Sequence, residues 1–203
     1  MSEQVITETP TTRSKVKALL VAGLVLGTGA AITLASWSSS VNTSGTFGSG
    51  YLGLIGSADG QSWSTAGSTT PGTLTFSNDV STMSPNDVVS SPYAIALASG
   101  STNGATVTVQ TPTATGQNTP NLTYQLLQMP TFGCSGTPTA TLVASGTAVN
   151  SASGAQTFTL AKGATSAQGA AAFLCFKVTA GSALLPSQTE NITWSFTAQS
   201  TSN

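Results

Sequence analysis

The chain has 203 residues, of which only five are Lys or Arg, six are Asp or Glu, and none is His. So few cations cannot neutralise a run of phosphates, which argues against a nucleic-acid partner. Without His, neither a Ser-His-Asp or Cys-His apparatus nor an H-E-x-x-H zinc site can be built.

Residues 1–17 are polar and end in Arg13, Lys15 and Lys17, and Ala18–Ala35 is an apolar run of mainly Ala, Leu, Val, Gly and Ile. A cationic n-region, an apolar h-region and the small residues Thr33-Leu34-Ala35 have the layout of an export signal cut before Ser36. The alternative is a retained membrane helix, because the apolar run is close to the length that spans a bilayer. No Cys stands at the end of the run where lipidation needs one, which excludes a lipoprotein. The expected division is therefore a signal segment over 1–35, a linker or donated strand over 36–45, and one exported domain over 46–203. A domain of that length can bury its own core.

From Thr46 onward the chain alternates short apolar-polar segments with turn residues. The pattern predicts about nine strands: Thr46–Ile55, Gly72–Ser77, Ser91–Leu97, Ala105–Gln110, Leu122–Met129, Thr139–Ala144, Thr157–Ala161, Ala172–Thr179 and Glu190–Ala198. In Val107-Thr108-Val109, Phe158-Thr159-Leu160 and Ile192-Thr193-Trp194-Ser195-Phe196, alternate residues give one face to a core and one to water. Separators such as Ser57-Ala58-Asp59-Gly60 and Ser84-Pro85-Asn86-Asp87 are turn chemistry. A chain this rich in small polar residues invites disorder, but recurrent β-branched and aromatic residues favour a folded domain. Ala164–Ala172 is the one place where a helical turn competes with a loop. The expected class is all-β, a single antiparallel β-sandwich.

Cys134 and Cys175 form an even pair behind an export signal and read as one disulfide, with two buried thiols as the alternative. Such a bridge would close a loop of about forty residues and contribute about 4 kcal/mol in a chain-entropy estimate. After the signal segment the carboxylates are Asp59, Asp79, Asp87 and Glu190. The three Asp residues sit in turn-like contexts where Asp caps its own backbone, so neither a glycosidase pair nor a calcium loop is indicated. Trp194 alternates with Ile192 and Phe196 and reads as a core residue. Trp63 lies near a turn, where an exposed ring would suit a carbohydrate contact.

Around the signal junction, Thr33-x-Ala35, then Trp37, then Thr46-Phe47-x-Ser49-Gly50-x-Leu52-x-Leu54 resembles the TasA/camelysin family. Those proteins carry signal peptides processed by SipW-type peptidases in Gram-positive bacteria. The acidic residue that usually follows the aromatic is replaced here by Ser38, Ser39 and Ser40. Met83-Ser84-Pro85-Asn86-Asp87 is similar to the family's L-x-P-G-D turn, with Asn86 in the Gly position. Cys175-Phe176-Lys177-Val178-Thr179 and Ile192–Phe196 resemble the last strands of actinobacterial members.

The resemblance implies a jelly-roll-like sandwich and an exported structural protein of the cell surface or extracellular biofilm matrix. It further implies fibres, in which the freed N-terminal segment, anchored by Trp37, completes the sheet of the next subunit. The implied partners are a SipW-type peptidase, the export machinery and further copies of the chain. Membrane contact is through the N-terminal segment only, before cleavage. No catalytic residue, metal or cofactor is expected. The alternative is a monomeric surface-binding module, secreted or membrane-anchored, for a carbohydrate or a host protein.

Overall fold

The computed structural model describes residues 49–66, 72–77, 80–151 and 156–201, together with Ser44. The expectations for Thr33, Ala35, Ser36, Trp37, Thr46, Phe47 and Asp79 therefore lie outside the described residues. Residues 48–203 form one compact unit, and everything below concerns it.

Ten strands carry the unit: β1 (Leu54–Ser57), β2 (Val88–Leu97), β3 (Ala105–Val109), β4 (Thr113–Thr115), β5 (Leu122–Met129), β6 (Ala140–Ala148), β7 (Thr157–Leu160), β8 (Ala172–Ala180), β9 (Asn191–Thr193) and β10 (Phe196–Ser200). Short 3-10 turns at Val80–Thr82 and Thr119–Asn121 are the only helical turns among the described residues. All strand pairs are antiparallel. They make a five-stranded sheet in the order β1-β2-β8-β5-β6, a three-stranded sheet β10-β3-β7 and a two-stranded sheet β4-β9.

One apolar core joins the five- and three-stranded sheets in a sandwich-like arrangement. Leu97, Tyr124, Leu126, Leu174 and Phe176 come from the large sheet, and Val107, Phe158 and Leu160 from the small one. The alternation read from the sequence supplies this core directly, since β3 buries every second residue from Ala105 to Val109. Each fully buried large side chain contributes roughly 1.5–3 kcal/mol. Aromatic rings run through the core in contact. Trp194 lies 5.0 Å from Phe176 and 6.1 Å from Tyr124, and Phe196 stands edge-on to both Phe158 and Phe176.

The outer face of the large sheet has a second, smaller apolar cluster of Leu127, Met129, Cys175, Cys134 and Phe173. The segment after β5 folds back over it, with Phe132 edge-on to Phe173 at 6.2 Å. Cys134 is bonded to Cys175 across a sequence separation of 41, as the export reading expects. This explains why Leu126 and Leu127 are both buried, where strict alternation would expose one of them. The register of β5 against β6 is also irregular at Leu126 and Leu127.

Several predicted strands shift in the structure. The first begins at Leu54, not Thr46. Tyr51 and Gly53 still accept from the N–H groups of Thr102 and Ala98, but outside a regular ladder. Gly72–Ser77 is not a strand and is tied to β2 through the Ser77 N–H and the Ser90 carbonyl at 2.8 Å. Strand β2 starts earlier than predicted, at Val88, and β6 runs on to Ala148. Glu190–Ala198 is two strands, because β9 pairs with β4 whereas β10 pairs with β3. Strand β4 was not predicted; its three residues are too few to show a period.

Candidate functional site

Among the described residues, part of the large sheet's inner face is lined by irregular segments and not by a strand of the three-stranded sheet. A groove of about 990 Å³ lies there. Its floor is Leu54 and Gly56 of β1, Tyr93 and Ile95 of β2, and Phe176 and Val178 of β8. Its other wall is the irregular stretch Leu184–Thr189 and then Ile192, Trp194 and Phe196, with Leu74, Phe76 and Met83 closing a side. Most of these apolar side chains are only partly buried, although they pack against the core. Strand β10 pairs with β3 alone, so its other edge carries no strand among the described residues.

Glycine shapes the floor. A Cβ on Gly56 would collide with the Tyr93 ring, and one on Gly72 would lie 2.8 Å from the Tyr93 hydroxyl. The phenol therefore fits between two backbones that only glycine allows to approach. Partial burial raises its pKa above the ordinary value.

One end of the groove is fixed by a polar hub. Asn118 is 3% exposed. Its Nδ2 donates to the Leu185 carbonyl at 2.9 Å, and its Oδ1 accepts from the Leu185 N–H at 2.7 Å. The Asn118 N–H donates to Glu190 Oε1 at 2.6 Å. Gly116, at φ +127°, lets the Glu190 carboxylate lie against the turn, where a Cβ would strike it. The Leu184–Thr189 wall is thus held to Asn118 by a pair of hydrogen bonds, one donated and one accepted by its side-chain amide. Sequence reasoning missed Asn118, since nothing in Gln117-Asn118-Thr119-Pro120 distinguishes a buried amide from ordinary turn chemistry.

Trp194 lines the groove, and its buried Nε1 has no hydrogen-bond acceptor among the described residues. An unpaired buried donor costs about 1–3 kcal/mol.

The described carboxylates are engaged by the fold. Asp59 Oδ1 accepts from the N–H groups of Gln61 and Ser62 at 2.8 and 2.6 Å and from the Ser57 hydroxyl at 2.9 Å. Those backbone donors, Gln61 first, hold its carboxyl well below the usual range. Asp87 accepts from the Ser84 N–H at 2.7 Å. Asn86 in the same turn has φ +72°, a left-handed conformation for which Gly or Asn is the ordinary choice. Among the described residues no group of three or more His, Cys, Asp or Glu could hold a metal ion.

Of the residues singled out near the junction, Leu52 and Leu54 pack against the core and Leu54 lines the groove. Ser49 and Gly50 are exposed. Gly50 lies against Thr102, whose Oγ1 would be 2.6 Å from a Cβ there. Trp63 is partly exposed and stands outside the groove lining. No family model, curated protein or solved structure matches the chain.

Proposed function

We propose that the chain is an exported structural protein of the cell surface or extracellular matrix. Its copies assemble into fibres when an extended segment of one enters the groove of the next. The observation that carries this reading is the open groove with an apolar floor, beside a small sheet whose β10 has one edge without a strand among the described residues.

An extended segment brings main-chain donors and acceptors to an open edge and alternate side chains to the apolar floor. The donor in this reading is 36–45, freed by cleavage between Ala35 and Ser36, with Trp37 as the anchoring side chain. Cleavage then acts as the switch, because a terminus still tethered in the membrane is not available to a neighbour. The SipW-type peptidase, the actinobacterial TasA/camelysin-like membership and the jelly-roll-like topology belong to the same proposal. They are supported by the residue patterns over 33–54, 83–87, 175–179 and 192–196. No catalytic residue is assigned.

A second reading, a surface-binding module for carbohydrate, is favoured by the partly exposed ring of Trp63. Negative-stain microscopy of protein beginning at Ser36 and of protein beginning at Thr46 separates the two readings. Filaments are expected from the longer form only. Compact monomers from both forms, at high concentration and over days, would leave the binding module in place of the fibre subunit.

A further inference from the structure

The pentapeptide Thr-Pro-Thr-Ala-Thr occurs twice in the chain, at 111–115 and at 137–141. Its threonines belong neither to the core nor to the groove lining. The repeat is part of a wider pattern, because Thr precedes Pro10, Pro71, Pro112, Pro120 and Pro138, five of the nine prolines.

The two copies share a local structure. Thr111 and Thr137 are exposed and lie outside any strand, and each copy then runs into one, β4 from Thr113 and β6 from Ala140. Proline fixes its own φ and biases the residue before it to an extended backbone, so each threonine stands on a straight stretch. Pro112 is buried and Pro138 partly buried, which seats the ring in the fold and leaves the preceding threonine outside. Neither the Thr111 nor the Thr137 hydroxyl makes a hydrogen bond among the described residues. Both are free to react.

Thr119-Pro120 is the contrast within the same chain. It lies in a 3-10 turn, where the Thr119 hydroxyl donates to the Gly116 carbonyl at 3.0 Å and reaches Glu190 Oε2 at 3.5 Å. Thr139, inside the second copy, is also engaged, since its hydroxyl donates to the Gln128 carbonyl at 3.1 Å.

Ser/Thr-rich sequence interrupted by proline is the composition of O-glycosylated surfaces. The surface here also lacks the usual means of staying dispersed. After residue 35 the charged residues are Lys162, Lys177, Asp59, Asp79, Asp87 and Glu190. That is far fewer than a soluble surface of this size ordinarily carries. Neutral sugars hydrate such a surface without adding charge.

We propose that Thr111 and Thr137 are acceptors for O-linked sugar, transferred by a glycosyltransferase from a sugar activated through phosphate at its anomeric carbon. The threonine Oγ attacks that carbon and a new C–O bond forms. The bond from the same carbon to the phosphate oxygen breaks, and the phosphate leaves with the electron pair. The hydroxyl proton passes to a base of the transferase. Where the transfer takes place rests on the export reading above, whereas the two acceptors do not. A lipid-linked donor serves a chain outside the membrane, and a nucleotide-linked donor serves one in the cytoplasm.

The test is the intact mass and peptide map of the protein isolated from the cells that naturally make it. A mass excess in whole sugar residues is expected, carried by the peptides with Thr111 and Thr137 and absent at Thr119. Thr111→Val/Thr137→Val, made in the same cells, is expected to lose the excess. The wild-type map decides the question even where that variant fails to fold. A bare chain, a phosphate in place of sugar, or sugar missing from either copy overturns the assignment. A chain made without residues 1–35 separates the two donors, since it stays bare with a lipid-linked donor and is modified with a nucleotide-linked one. Sugar at both positions on a chain that never leaves the cell would sink the export reading and keep the acceptors. A bare chain in the medium does the reverse.

Discussion

Tyr124 shows how a single residue ties this core to pH. Its side chain is 1% exposed, and its hydroxyl donates to the Ser151 carbonyl at 3.1 Å. Burial pushes the phenol up to about 12. The folded state thus keeps the proton after the unfolded chain has released it near pH 10, and stability falls as pH rises from about 10 to about 12. Denaturant melts across that range should show the decline. In Tyr124→Phe the decline should be smaller, with a loss of about 1 kcal/mol at neutral pH from the missing hydrogen bond. An identical alkaline decline in the variant would show that another group governs it. Residues such as Asp59 and Asn86 were legible because their roles are local: a turn needs a capping oxygen or a left-handed φ within three positions. Asn118 was not legible, since its partner Leu185 is 67 residues away.

At the scale of elements, β5 and β8 could be read almost to their ends. A central strand shows its burial pattern in its own residues, whatever its neighbours are. Where partners decide, the reading failed. Ile192, Trp194 and Phe196 keep their alternation through Glu190–Ala198, but the ladder changes partner at Trp194 and divides the segment into β9 and β10. The disulfide could be paired from composition, but its position could not. It lies outside the main core and clamps one segment over the back of the large sheet. Reduction should therefore release that segment first. The bridge contributes at most about 4 kcal/mol by chain entropy. Limited chymotrypsin digestion should cut at Phe132 in reduced protein and spare it in oxidised protein. A first cut at Phe158 in the sandwich core would mean that the bridge holds the whole fold and not one flap.

For the whole molecule, an all-β class with one core was visible in the periodicity, whereas the division into five strands against three was not. Strand alternation says which face is inward, but it does not say how many strands lie on each side. The energetics of the groove give a direct test of what fills it. An occupant that binds only the folded domain stabilises it by mass action, reaching about 2.7 kcal/mol at a hundredfold excess over its dissociation constant. A synthetic peptide covering 36–45, added to protein beginning at Thr46, should therefore raise the melting temperature in proportion to the logarithm of its concentration. Replacing Trp37 by Ala in the peptide removes the anchoring ring and should abolish most of the gain. A melting temperature indifferent to the native peptide up to millimolar concentration would separate the groove from the N-terminal segment. The fibre proposal would then have no donor in this chain.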